Sequence, residues 1–483
     1  FARLGVETMK RLHVPVPSWV RAYGIKVMPF ADAASGGLPL GRLLRLSLFQ
    51  LAIGMVTALL VGTLNRVMIV ELEVPAWWVA LAVGLPLIFA PLRGLIGYRS
   101  DTHPSALGLK RIPYLWMGSL ILFGGLAILP FALLVLADNQ AGQVWLGRLG
   151  AGLAFFLIGA GIQITQTAGM ALASDLAEES KRPRVVALLY TMLLLGLIVS
   201  SALYGWLLRD FSPLRLIQVI QGTAVAVIVL NLLALWKQEA RASKRGAREE
   251  GGFGRHWREL MAQTQMRRFL WATALGSFAF GMQDIVLEPY GAQVLGLDVG
   301  ATSGLTAVGA LGSLLAFALS ARVLGPRVGA CALAGLGGLL GLLAFSLVIF
   351  SAPLQSVIMF QWGVGLVGFG AGLFSVGMLV NAMTYGDARL SGLALGAWGA
   401  VQATSAGLAM ALGGIVRDGV DALAQAGYLG EALQSVVTGY SFVYHIEMYL
   451  LLIVLIALGP MARRGTSRSA NSSTRFGLAE LPG

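Results

Sequence analysis

The side chains in this sequence best suited to chemistry are a few polar groups set inside long apolar runs. In GMQDIVLEPYG the residues Gln283, Asp284 and Glu288 fall within one short stretch, and four-residue spacing puts the two carboxylates on one helix face. TLNRVMIVE carries Asn65 and Arg66, with Glu71 following five residues after Arg66. If the two segments face each other, Arg66 would neutralise one of the carboxylates. Charge at membrane depth costs several kcal/mol unless it is paired or hydrated, so two readings stand side by side. One is a structural ion pair closing one end of the molecule, and the other is a site for a proton or a polar headgroup. His445, in GYSFVYHIEMY, is the histidine placed in or at the edge of an apolar run, whereas His13, His103 and His256 lie in polar segments. A neutral imidazole there offers a metal ligand. Gln163, Gln166, Asn381 and Gln402 are uncharged polar residues that would line a cavity or hydrogen-bond between helices.

Other chemistries find no support. No serine, histidine and aspartate fall in one polar region, no metal-ligand spacing recurs, and no Walker sequence offers ATP as a driving force. An enzyme is not expected, nor is a nucleotide or metal cofactor. Cys331 is the single cysteine and sits in an apolar run, so it can form no internal disulfide.

The elements that position these groups follow from composition. Of 483 residues 57% are hydrophobic and 12% charged, with a mean hydropathy of +0.77. A soluble domain carries about 25% charged residues. Apolar runs of about 20 residues recur along the chain, the length of a membrane-spanning helix. Spans are expected at about 43–69, 77–97, 113–137, 146–174, 185–208 and 214–236, then 269–294, 301–323, 327–350, 355–385, 390–415 and 440–461. The fold class is an all-α integral membrane protein with twelve transmembrane helices.

Between the two sets of six lies WKQEARASKRGAREEGGFGRHWRELMAQTQMRR, polar and basic, read as a linker over residues 237–268. It separates an N-terminal bundle at 43–236 from a C-terminal bundle at 269–461. Residues 1–42 mix basic and aromatic side chains with Pro15, Pro17 and Pro29, and read as an arm lying at lipid headgroups. No continuous apolar core of a cleavable signal peptide is visible in the first 30 residues, and 462–483 reads as a tail.

Charge placement gives the orientation. Thirty of the 35 Lys and Arg residues fall on one side of this layout, the exceptions being Arg66, Arg148, Arg209, Arg215 and Arg417. By the positive-inside rule that side is cytoplasmic and holds both termini. The formal net charge of +12 therefore reflects topology, and no nucleic-acid partner is expected.

The halves echo each other. FLIGAGIQITQTAGMALASDLA resembles LVGFGAGLFSVGMLVNAMTYGD, ending at Asp175 and Asp387, and Gly54-Met55 corresponds to Gly281-Met282. Two parallel six-helix repeats are the architecture of the major facilitator superfamily, in which sites lie between the repeats. The loop GLIGYRSDTHPSALGLKRIPYLW adds Gly97, Asp101, Lys110 and Arg111. It is similar to the superfamily's loop motif, in which glycine allows close helix approach and the aspartate caps a helix or pairs with a base at the gate. Here the spacing from Asp101 to Lys110 departs from that motif.

LPLGRLLRLSLFQ, GTLNRVMIVELEVPAWWVA, IGYRSDTH and KRIPYLW resemble the PucC/LhaA family of phototrophic bacteria over both halves, most densely in 38–116. The resemblance implies a protein of the bacterial inner, photosynthetic membrane that assists light-harvesting complex assembly and binds or delivers bacteriochlorophyll as cargo. It implies antenna polypeptides as partners, with the reaction centre–antenna core and bacteriochlorophyll synthase beyond them. The core antenna is favoured over the peripheral one as client. His445 would then be an axial ligand to the pigment magnesium, with Tyr444 and Tyr449 as aromatic surface, and the polar groups of spans 1 and 7 would meet ring carbonyls. An apolar groove hiding the chlorin would serve delivery, while a scaffold docking antenna helices on its lipid-facing surface would need no internal ligand. The alternative is a proton-coupled transporter of a small metabolite, with Asp284 or Glu288 as carrier.

Overall fold

A computed structural model describes residues 33–34, 38–88, 90–92, 109, 111–137, 144–178, 181–238, 253–324, 328–384 and 391–468, and among them the regular structure is helical throughout. We number the helices α1 Leu40–Thr57, α2 Ala76–Ile88, α3 Ile112–Ala137, α4 Val144–Leu176, α5 Arg182–Leu207 and α6 Pro213–Leu235 in the first half. After these come α7 Phe253–Ala262, α8 Thr264–Ala279, α9 Gln283–Leu295, α10 Val299–Val323, α11 Ala330–Ser351, α12 Val357–Thr384, α13 Ser391–Gln425 and α14 Val436–Arg468. Eleven helical stretches are long and apolar enough to cross a membrane, with α8 and α9 together forming one of them, and the shorter α2 makes the twelfth span. The second part of span 2, with Gly97, and the loop residues Asp101 and Lys110 lie outside the described residues.

The packing repeats the chain's duplication. In the first half span 1 packs on spans 5 and 6, span 3 on spans 4 and 6, and span 2 on span 4. Adding six to each number gives the pairings of the second half: α8 on α13 and α14, α11 on α12 and α14, and α10 on α12. The halves join through α2 against α13 and α5 against α10, two contacts that the same exchange interconverts. This is the twelve-helix, two-repeat arrangement expected from the sequence. Small residues let the halves approach. A side chain at Gly84 would stand 2.5 Å from the carbonyl oxygen of Gly407, and one at Gly407 would stand 2.6 Å from that of Gly84.

Three elements depart from the sequence-based expectations. Span 1 continues beyond α1 as two wide-turned π segments, Ala58–Leu64 and Val67–Glu71, and such turns rotate the downstream side chains relative to a regular helix. Span 7 is broken at Phe280–Met282 into α8 and α9. Span 11 runs ten residues past its expected end, to Gln425, and this extension carries Arg417 and Asp418, whose side chains lie 2.7 Å apart. Asp418 also accepts the Trp77 N–H at 2.8 Å, tying α13 to the start of α2. Within the expected linker 253–262 is helical and α8 begins at Thr264, and α14 continues to Arg468, into the stretch expected to be a tail.

The outer surface is what a lipid environment requires. Large apolar side chains stand exposed along the spans, among them Phe131, Trp145, Trp271, Phe350, Trp362 and Ile456. In water such a surface would aggregate, whereas against hydrocarbon it costs nothing.

Candidate functional site

The polar residues singled out in spans 1 and 7 do meet. Pro289 sits inside α9 and has no N–H, so the carbonyl of Ile285, four residues earlier, lacks its helical donor. Asn65 supplies one: its Nδ2 donates to the Ile285 carbonyl at 2.9 Å and to that of Asp284 at 3.3 Å. The π turns of span 1 bring the amide to this point. Two residues back, the Thr63 hydroxyl lies 3.1 Å from that of Ser303 on α10, so span 1 is hydrogen-bonded to both α9 and α10.

Arg66 behaves otherwise than expected. Its guanidinium pairs with Glu71 on its own span and donates at 3.4 Å to the Leu297 carbonyl, so it forms no ion pair with Asp284 or Glu288. The reason is local: the second π segment carries Glu71 back beside Arg66. The contact to Leu297 links span 1 to the turn between α9 and α10.

Asp284 and Glu288 also have separate surroundings. Glu288 is 3% exposed and accepts from the Thr306 hydroxyl of α10. A side chain at Gly62 would lie 3.2 Å from its Oε1 and 2.7 Å from Thr306 Oγ1, so the crossing is tightly packed. Asp284 accepts from Gln283 Nε2. The backbone N–H of Gln283, at the buried start of the broken half-helix, donates to Glu447 of α14 at 2.6 Å. Glu447 is completely buried. A carboxylate at a helix N-terminus satisfies an otherwise orphaned donor and lies at the positive end of the helix dipole. Neither Glu447, Asp284 nor Glu288 forms an ion pair among the described residues, and the second oxygens of Glu447 and Glu288 have no protein partner.

Glu447 is the residue that reading the sequence missed. It lay inside the GYSFVYHIEMY segment, but attention went to His445. A lone carboxylate within an apolar span was the available signal. Span 12 presents these two residues to opposite sides, since positions two apart on a helix are rotated by about 200°. Tyr444 shares the inner face with Glu447 and is fully buried, its ring 5.5 Å from Tyr290 and 6.1 Å from Phe345. It therefore offers no free aromatic surface, contrary to expectation. Tyr449, 65% exposed, and Phe442 share the outer face with His445.

His445 itself is exposed, and its Nδ1 lies 2.7 Å from the Ser441 carbonyl one turn earlier. A carbonyl only accepts, so the proton of the neutral ring sits on Nδ1 and the Nε2 lone pair faces outward. The ring lies about 13 Å along the helix from the start of α14 at Val436. This geometry suits ligation of a metal carried by an apolar molecule.

Gln163 donates to the Pro86 carbonyl at 3.3 Å, a bond between spans 4 and 2. Asn381 is half-buried on α12 and is hydrogen-bonded or otherwise engaged. Of the loop motif, Arg111 is described. It is buried and pairs with Asp175 at the end of α4 at 3.1 Å, so one loop base clamps spans 3 and 4.

Residues 63–466 match the family model described as PUCC protein. The chain belongs to that family. It is 51% identical over 420 residues to Protein PucC of Rhodovulum sulfidophilum, covering 85% of this chain and 92% of that protein. It is 49% identical over 462 residues to the "uncharacterized protein in puhA-bchM intergenic region" of Rhodobacter capsulatus, covering 94% and 97%. The "bacteriochlorophyll synthase 44.5 kDa chain" of Rhodobacter capsulatus is 30% identical over 442 residues, covering 88% and 97%. Among solved structures, a bacterial homologue of the human lysosomal transporter Spinster in an inward-facing, unoccupied conformation superposes with a TM-score of 0.66 at 17% identity, covering 90% of this chain and 98% of the other. A structure of a proton-dependent oligopeptide transporter gives 0.63 at 14%, covering 88% and 99%. The PUCC chain is thus a multi-pass membrane protein with the fold of major facilitator transporters.

Proposed function

We propose that this protein assists the formation of light-harvesting complexes in phototrophic bacteria, the core antenna before the peripheral one. In this reading it holds bacteriochlorophyll on its lipid-facing surface for delivery to antenna polypeptides. One observation carries the proposal: relatives named PucC match at about half identity through both six-helix halves, so the resemblance extends to the whole bundle and not to one motif. The pigment part rests on His445. Its Nε2 points outward beside Phe442 and Tyr449, an arrangement that would ligate magnesium axially while aromatic rings border the macrocycle. Packing at the crossing of spans 1 and 7, where Gly62 abuts Glu288 and Thr306, supports handling on the surface over burial of a chlorin at that point. The membrane is taken to be the bacterial inner, photosynthetic membrane with both termini cytoplasmic. The reaction centre–antenna core and bacteriochlorophyll synthase are the partners expected beyond the antenna chains.

The test is purification from phototrophic membranes, an absorption spectrum, and identification of copurifying proteins. Bound pigment that falls sharply in His445→Leu while the protein level is unchanged is the expected result. Wild-type protein without pigment, or a His445→Leu variant with the full amount, would remove the His445 site. A deletion strain that builds its antennae at the normal rate would remove the assembly role itself.

A second reading, a proton-coupled transporter, draws on the carboxyls of Glu447, Asp284 and Glu288, buried or half-buried and without ion pairs. Neutralising Asp284 and Glu288 together would abolish proton-coupled uptake in that case and would leave antenna assembly largely intact in a surface scaffold.

A further inference from the structure

α5 and α6 follow each other in sequence yet touch at few points, because both pack on α1 and α5 also packs on α10. Between them a crevice of about 700 Å³ opens toward the lipid, lined by residues that include Met55, Leu203, Leu207, Val219, Gly222 and Ala226. At its floor the Tyr204 hydroxyl lies 2.8 Å from that of Thr223, both side chains buried. Its lip, at the α5/α6 connection, carries Arg209, Asp210, Arg215 and Gln218, with Trp206 68% exposed beside them. Arg215 donates to Asp210 at 2.7 Å through the carbonyl and 3.1 Å through the carboxylate. Arg209 forms no ion pair among the described residues. Among the residues that line the crevice two guanidinium groups stand against one carboxylate, the Asp298 carboxylate near the Arg209 backbone lying outside the lining and capping α10.

We propose that this crevice seats an anionic phospholipid, its phosphate at Arg209 and Arg215 and one acyl chain running along Leu203, Leu207, Gly222 and Ala226. Charge complementarity selects the occupant. A neutral pigment or zwitterionic lipid would leave the excess charge of the lip unmatched, whereas guanidinium groups bind phosphate with charge-assisted hydrogen bonds. Length agrees with this. The 11 residues from Arg215 to Ala226 span about 17 Å of helix, against ~15 Å for one leaflet of hydrocarbon. Exposed tryptophan at the lip is the side chain expected at headgroup depth.

The structure offers a direct perturbation. A Cβ at Gly222 would meet nothing within 4 Å, and Gly222 lines the crevice, so Gly222→Phe adds bulk where the acyl chain would run. The purified protein would be stripped of lipid, equilibrated with mixed phosphatidylglycerol and phosphatidylcholine, and its retained lipid counted by native mass spectrometry. The wild type is expected to keep phosphatidylglycerol in preference. Both Gly222→Phe and the pair Arg209→Ala with Arg215→Ala should reduce retention about tenfold or more, the loss expected for charge-assisted contacts. Retention of phosphatidylglycerol at the wild-type level in Gly222→Phe would overturn the proposal, as would equal retention of the two lipids. Loss of bacteriochlorophyll from Gly222→Phe with phosphatidylglycerol kept would do so too, and would give the crevice to the pigment. Should the arginine pair fail to fold, Gly222→Phe still decides.

Discussion

Asn65 should matter only because Pro289 exists. In α9 the Ile285 carbonyl has lost its helical N–H to the proline, and the Asn65 amide replaces it at 2.9 Å across the interface between the halves. Replacing Asn65 with Leu leaves that buried carbonyl unpaired. An unsatisfied buried polar group costs ~1–3 kcal/mol, and interhelical hydrogen bonds measured in membranes contribute about 0.6 kcal/mol, up to ~1.7. The expected loss is therefore about 1–2 kcal/mol. In a Pro289→Ala background the alanine N–H restores the intrahelical bond, and the same Asn65→Leu change should cost close to nothing beyond repacking. The double-mutant cycle then shows a coupling of about 1 kcal/mol or more. Thermal unfolding of the four proteins in one detergent reads it, since ~1 kcal/mol moves the midpoint by about 2 °C or slightly less in a chain of this size. An Asn65→Leu shift of the same size in both backgrounds would refute the account. So would a stabilising effect of Pro289→Ala that leaves the cost of Asn65→Leu unchanged.

Three further outcomes follow from the same structure. Glu447→Gln keeps an oxygen acceptor for the Gln283 N–H at the start of α9 and should be near wild type in stability, while Glu447→Leu should lose about 1–2 kcal/mol as the cap disappears; equal midpoints for the two would count against the capping role. Exchanging the charges of the Arg111 and Asp175 pair should recover most of the stability that either single reversal loses, measured by the same melts, and a double variant no better than the singles would show that the contact contributes little. Gly407→Leu should push α13 from α2, where a side chain would stand 2.6 Å from the Gly84 carbonyl, and lower the yield of folded protein on size exclusion; normal yield and midpoint would show that the halves are not held at that point.

Reading the chain alone revealed as much of the fold as hydrophobic runs and charge can carry. The twelve spans and the duplication rest on composition summed over many residues, which a few local irregularities do not disturb. What escaped was local. The π turns at 58–71 leave no mark in hydropathy, and the break at 280–282 contains no proline. Arg417 falls outside the expected span because its charge ends the apolar run, whereas in the structure it lies within α13. The site was legible by residue type and misread in its partnerships. Asn65, Arg66, Asp284 and Glu288 do gather where spans 1 and 7 cross, but a guanidinium five residues from Glu71 pairs within its own span. The side chain that reaches span 7 is the neighbouring amide, drawn there by a carbonyl that a proline had orphaned.

Span 12 shows why position on a helix decides what a polar residue can do in a membrane. Tyr444 and Glu447 point inward, where the tyrosine ring completes an aromatic cluster and the carboxylate caps a broken helix. His445 points the other way, and the Ser441 carbonyl fixes its tautomer without help from any other helix. A polar residue on the inner face must be satisfied by the protein at every stage of folding, so it ties helices together. One on the outer face is answerable only to lipid and to whatever approaches through lipid. An outward imidazole with its Nδ1 engaged by Ser441 leaves Nε2 to interact with a molecule that approaches through the membrane. Under the proposed function that molecule would be a magnesium chlorin, soluble in the bilayer and able to take an axial ligand, and it would meet the outer face of span 12 rather than the packed crossing of spans 1 and 7.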